Sequence, residues 1–91
     1  MNQYTIKEII ELNKEAGGYF FDEKTMDFWG SKVESEPIRE LFVTSEDNFD
    51  RTKKLYTVRR FNPDDCSIDT YSAFQQFETL QDAMNFIHEV A

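Results

Sequence analysis

Two alternating segments joined by a turn constrain this chain most. Over Lys54–Phe61, Tyr56, Val58 and Arg60 fall on one side of an extended backbone, and Leu55, Thr57, Arg59 and Phe61 on the other. Over Ile68–Phe77 the same period sets Ile68, Thr70, Ser72 and Phe74 against Asp69, Tyr71 and Ala73. Between them lies Asn62-Pro63-Asp64-Asp65, whose residue types favour a turn. The reading is an antiparallel hairpin. The run Arg39–Ser45, with Leu41, Phe42 and Val43, adds a strand before it, and polar Glu46–Lys53 makes the connection.

Helices flank these strands. Thr5 and Glu8 form a capping-box pattern ahead of Ile9 and Ile10, and Gly17-Gly18 ends the helix, predicted over 5–16. Tyr19-Phe20-Phe21 is short enough for one brief extra strand. Asp22 can cap a short helix from Glu23 to Trp29, closed by Gly30, with Met26 and Trp29 on one face and Phe28 turned toward the core beside Phe20. Thr79 caps a last helix whose stripe is Leu80, Ala83, Met84, Ile87 and Ala91. The expected fold is a single α+β domain over residues 1–91. It has an antiparallel three- to four-stranded sheet, with the N- and C-terminal helices packed on one face, in the order α-α-β-β-β-α.

Composition narrows the function. With 91 residues, 40 % of them hydrophobic and 15 % aromatic, the chain is too apolar for an acidic disordered segment. Lys and Arg total 10 against 18 Asp and Glu, a net −8 divided equally between the halves. Such a surface repels nucleic acid and anionic membranes, so direct binding to either is not expected. No run of apolar residues is long enough to span a bilayer, and Met1 to Lys7 hold no apolar stretch of a secretory leader. The cytoplasm of a bacterial host is the expected compartment.

Catalytic chemistry finds little purchase. Cys66 and His88 are the only thiol and imidazole, and Cys66 follows two carboxylates that disfavour a thiolate. Asn62, Asp64, Asp65 and Asp69 partly match a calcium loop but lack its glycine and its closing glutamate, so a turn explains them more simply. There is no glycine-rich phosphate loop. The expectation is no catalytic residue, no metal and no cofactor.

The segments Gly18-Tyr-Phe-Phe-Asp-Glu-Lys-Thr-Met-Asp-Phe-Trp-Gly-Ser-Lys-Val-Glu34, Phe42-Val-Thr-Ser-Glu46, Leu55-Tyr-Thr-Val-Arg-Arg-Phe61 and Phe77-Glu-Thr-Leu80 carry a resemblance. In their order along the chain they resemble a family of small bacteriophage and prophage proteins. The resemblance implies an origin in a mobile element and a bacterial host, and it supplies no catalytic residues.

Two functional readings follow. In the first, the protein is a non-enzymatic acidic inhibitor of a host nucleic-acid-directed defence system, of the DNA-mimic type. Glu34, Glu36, Glu46, Asp47, Asp50, Asp64, Asp65 and Asp69 would occupy a basic channel on a host protein. In the second, it is a small-molecule or peptide binding module that uses an aromatic surface around Tyr19, Trp29 and Tyr56, with Lys32, Arg59 or Arg60 as polar anchor. An aromatic surface of that kind is also compatible with a homodimer.

Overall fold

A computed structural model describes residues 4–91. Residues 1–3, on which the expected lack of a secretory leader partly rests, lie outside the described residues. The elements are α1 (Ile6–Glu15), α2 (Glu23–Trp29), β1 (Lys32–Val33), β2 (Leu41–Asp47), β3 (Lys54–Asn62), β4 (Ser67–Thr70) and α3 (Leu80–Val90). The strands form one antiparallel sheet in the order β1-β2-β3-β4. The fold is therefore α+β with terminal helices, and among the described residues no helix is long and apolar enough to cross a membrane.

The register decides where the core sits. Val43 pairs with Val58 and Leu41 with Arg60, whereas Phe42 pairs with Arg59 and Thr44 with Thr57. Successive residues alternate between the two sides, so the sheet buries both of its faces. Leu41, Val43 and Val58 pack under Ala83 and Ile87 of α3. Phe42 and Phe61 pack with Ile9 of α1 and with Phe21. The two terminal helices thus lie on opposite faces, not on one face as the sequence reading had it. The physical reason is that β2 is apolar at successive positions, Leu41, Phe42 and Val43, so a single helical layer would leave Phe42 in water.

Other boundaries also differ. The fourth strand is β1 at 32–33, and residues 19–21 form no strand. The turn into β2 is tight: Ile38 and Leu41 exchange backbone hydrogen bonds of 2.8 and 3.0 Å, with Arg39 and Glu40 at φ 48° and 73°. The strand predicted over 68–77 stops at Thr70. The Tyr71 and Ser72 N–H groups both donate to the Val58 carbonyl, at 2.8 and 3.2 Å, Ser72 Oγ accepts the Val58 N–H at 3.0 Å, Gln75 takes φ 57°, and bridge pairing with β3 resumes at Tyr56–Phe77. Residues 71–76 therefore bulge over the sheet.

Capping places α1 and α3 as read. Thr5 and Glu8 close a reciprocal capping box, and Thr79 Oγ1 accepts from the Asp82 N–H at 3.1 Å. Asp22 sits at the α2 N-terminus without a side-chain capping bond. What fixes α2 is its other end, where Gly30 takes the left-handed conformation at φ 61°. Lys54 Nζ donates to the Gly30 carbonyl at 2.6 Å and pairs with Asp47 at 2.9 Å, so the helix end is tied to β2 and β3. A Cβ on Gly30 would collide with the Asp47 carboxylate, whereas one on Gly17 (φ 86°) meets open space. Both Gly→Ala substitutions strain a positive φ, at about 1–2 kcal/mol each. Only Gly30→Ala also displaces Asp47, so thermal unfolding followed by circular dichroism is expected to show the larger loss of melting temperature for Gly30→Ala.

Candidate functional site

The face that carries Phe42 and Phe61 becomes polar further along β2 and β3. Thr44 and Glu46 on β2 meet Thr57 and Arg59 on β3 and Thr70 on β4, all on one side of the sheet. Glu46 is completely buried and Arg59 only 8 % exposed. Arg59 Nη2 pairs with Glu46 Oε2 at 3.3 Å, Arg59 Nε donates to Thr44 Oγ1 at 3.0 Å, and Arg59 Nη1 donates to Thr70 Oγ1 at 2.5 Å. The second Glu46 oxygen accepts from Thr57 Oγ1 at 2.8 Å, and that hydroxyl in turn accepts the Gln75 N–H at 2.8 Å. Burying two charges is costly unless each is paired and its remaining positions are hydrogen-bonded. Three threonine hydroxyls from three strands meet that demand here.

Aromatic rings close over the guanidinium. Its carbon lies 5.2 Å from the Phe20 ring centre and 5.5 Å from that of Phe74, within cation–π range of both. Phe74 reaches this place because residues 71–76 bulge. Trp29 packs edge-on to Phe74 at 5.7 Å and to Phe28 at 4.9 Å. Between them opens a cleft of about 380 Å³, with Arg59 at its floor, rings of Phe20, Trp29 and Phe74 and the Met26 side chain as walls, and the Thr25 and Ser31 hydroxyls beside them. On its other side Trp29 walls a second cleft of about 340 Å³, with Phe28, Phe49 and Gln75. An apolar cleft of this size with a few converging polar groups is the usual form of a ligand site.

Segments distant in sequence build the first cleft: the end of the 19–21 turn, α2, the start of β1, the middle of β3 and the 71–76 bulge. Of the aromatic set read from the sequence, the structure brings Trp29 and Arg59 together. Tyr19 is exposed without lining the cleft, and Tyr56 packs with the α3 core on the opposite face. Lys32 pairs in register with Ser45 and Arg60 with Leu41, which also places both on the α3 side, and Arg60 pairs with Glu40 at 3.7 Å. Phe28 is not turned inward beside Phe20; it is two-thirds exposed and leans on Trp29.

The acidic set does not form a single face. Glu46 is interior, held by Arg59, and is a correction to its reading as a partner contact. Asp47 is tied to Lys54, Glu34 accepts from Ser45 Oγ at 2.8 Å, and Glu36 accepts from the Ile6 N–H at 3.1 Å. Asp50 lies in the loop before β3, whereas Asp64 and Asp65 lie in the turn after it, with Asp69 beside them on β4. The nine residues of β3 separate the two groups by roughly 30 Å. The Thr52 hydroxyl, and after it the Thr52 N–H, hold the Asp50 carboxyl below the usual carboxylate range. The Ser67 hydroxyl, and after it the Ser67 N–H, do the same for Asp65. Among the described residues no group of three His, Cys, Asp or Glu is placed to hold a metal ion.

Phe20, Thr25, Met26, Ser31 and Phe74 were not among the sequence candidates. Thr44 and Glu46, two apart in a strand opposite Thr57 and Arg59, gave the one available signal, a polar stripe inside an otherwise apolar sheet.

The family model described as "Family of unknown function (DUF7447)" matches residues 5–88. No curated protein and no solved structure matches the chain.

Removing one partner of the buried pair strands the other. Glu46→Leu is expected to cost about 3–5 kcal/mol, and Arg59→Met a similar amount. The double variant Glu46→Leu/Arg59→Met is expected to recover most of the loss, because no charge then remains buried. Urea denaturation of the three variants measures the coupling directly.

Proposed function

The chain belongs to that family of unknown function, and from this premise we propose that it is a non-enzymatic binding module whose site is the Arg59 cleft. The observation that carries the reading is a buried arginine, clamped by Glu46 and hydroxyls and flanked by rings, at the floor of an open aromatic cleft. Stability alone gives no reason for it, since a buried ion pair is commonly matched or exceeded by apolar residues of equal volume. A pre-set guanidinium beneath aromatic walls is, in contrast, what recognition of a flat group requires. It offers an oriented donor edge without ordering a flexible side chain at the moment of binding.

The ligand that fits is planar and carries a hydrogen-bond acceptor but no large negative charge. Glu46 already balances Arg59, and the net −8 of the protein repels polyanions. The walls supply stacking and the thioether of Met26 supplies an adaptable contact. The acidic-inhibitor reading rests on the net charge and on the exposed cluster of Asp64, Asp65 and Asp69 at the β3–β4 turn. It requires capture of a basic protein that weakens steeply with salt.

Benzamide, a flat ring bearing one carbonyl acceptor, tests the cleft. Titration is expected to move the NMR resonances of the Trp29 indole N–H and the Arg59 Nε–H together, saturably and with little dependence on salt. Thr25→Arg, at an exposed helix position on the cleft wall, is expected to suppress both shifts while leaving the fold intact. Absence of a saturable shift at both groups would contradict the assignment.

A further inference from the structure

We propose that Phe49 is a docking knob and that its receptor is the Arg59 cleft of a second copy of this chain, so that two copies form a two-fold dimer; the proposal rests on the cleft being a binding site. Phe49 is fully exposed at the tip of the loop between β2 and β3. A lone exposed phenylalanine is unremarkable, but this one is held out by a built loop. Asn48 Oδ1 accepts the Thr52 N–H at 2.9 Å, Asn48 Nδ2 donates to Thr52 Oγ1 at 3.1 Å, and Thr52 Oγ1 donates to Asp50 Oδ1 at 2.7 Å. Backbone bonds from the Asn48 N–H to the Lys53 carbonyl and from the Arg51 N–H to the Asn48 carbonyl, both 3.0 Å, complete the turn. The ring is thus presented on a rigid support, which lowers the ordering cost of inserting it elsewhere.

Area and charge both favour a second copy as the occupant. Phe28, Trp29, Phe49 and Phe74 together expose on the order of 500 Å² of ring surface. That is more than half of the roughly 800 Å² per partner in a standard interface. The chain as a whole carries −8, which opposes self-association. In the loop, Lys54 is held by Asp47 and Lys53 lies 4.0 Å from Glu78, which leaves Arg51, exposed beside Phe49, as the cation that no ion pair among the described residues takes. The helix that walls the cleft is its opposite: residues 22–29 hold Asp22, Glu23 and Asp27 against Lys24, a net −2. Arg51 beside the knob of one copy therefore meets the acidic cleft rim of the other. Trp29 walls both the cleft and the space beside Phe49, so knob and receptor adjoin. A two-fold axis near Trp29 lets each copy fill the other, as a closed isologous pair requires.

Sedimentation equilibrium of the full chain from micromolar to millimolar concentration tests this. The wild type is expected to follow a monomer–dimer equilibrium, with Trp29 emission shifting to shorter wavelength as dimer forms. Phe49→Ala and Thr25→Arg, both at exposed positions, are each expected to weaken association about thirtyfold. A wild type that stays monomeric at millimolar concentration, or a Phe49→Ala variant that dimerises as well as the wild type, overturns the proposal. Benzamide binding measured on the wild type at micromolar concentration, before a second copy fills the cleft, reports on the cleft separately, so a wild type that binds benzamide yet stays monomeric at millimolar concentration rejects the second copy and keeps the cleft.

Discussion

The ion pair between Glu46 and Arg59 is the constraint around which one face of this protein is organised. Neither group can be left alone in an apolar sheet: Glu46 has no water to turn to, and Arg59 reaches it only at the cleft floor. Every neighbour of the pair therefore has a stated task. Thr44, Thr57 and Thr70 supply hydroxyls from three adjacent strands, which requires β2, β3 and β4 to hold one register. A slip of β2 by one residue would carry Thr44, Glu46 and Phe42 to the α3 side and strand Arg59 without its carboxylate. The pair thus gives the sheet a unique alignment as well as a polar floor.

The rest of the site follows from covering that floor. The bulge at 71–76 would be a poor way to finish a strand if pairing alone mattered. It brings Phe74 over the guanidinium, while the Gln75 N–H binds Thr57 Oγ1 and the Gln75 side chain binds the Asp47 carbonyl at 2.8 Å. On the other flank, α2 is too short to be stable by itself. It is held by Gly30, Lys54 and Asp47, and so Trp29 and Met26 face the cleft. The aromatic roof is consequently supported from the sheet beneath it, and rigidity of that kind is what turns a surface depression into a recognition site.

Much of the fold could be read from residue order because it depends on local signals. Thr5 with Glu8, Thr79 before the Leu80 stripe, and Gly30 after Trp29 mark helix ends through bonds between near neighbours. The alternation of Lys54–Phe61 correctly sorted Val58 from Arg59. What could not be read depended on which segment covers which face. The runs Leu41-Phe42-Val43 and Val58-Arg59 carry demanding residues on both sides, yet nothing local says that α1 takes one face and α3 the other. The cleft was half legible: Trp29 and Arg59 stood out by type, whereas Phe74 joined them only through a bulge that its alternating sequence concealed. Glu46 looked like surface charge because its partner lies thirteen residues away, on another strand.

The account stands or falls on Arg59 being a buried, clamped guanidinium, and NMR of the arginine side chains reads this most directly. The chain has four arginines, and Arg39, Arg51 and Arg60 all lie nearer to water than Arg59. One Nε–Hε signal, assigned to Arg59, is expected to persist at neutral pH with slow solvent exchange and hindered rotation of the guanidinium, while the other three exchange rapidly. An Arg59 signal that exchanges as fast as the rest would mean that the pair with Glu46 is open to water. The floor of the cleft would then not exist as described.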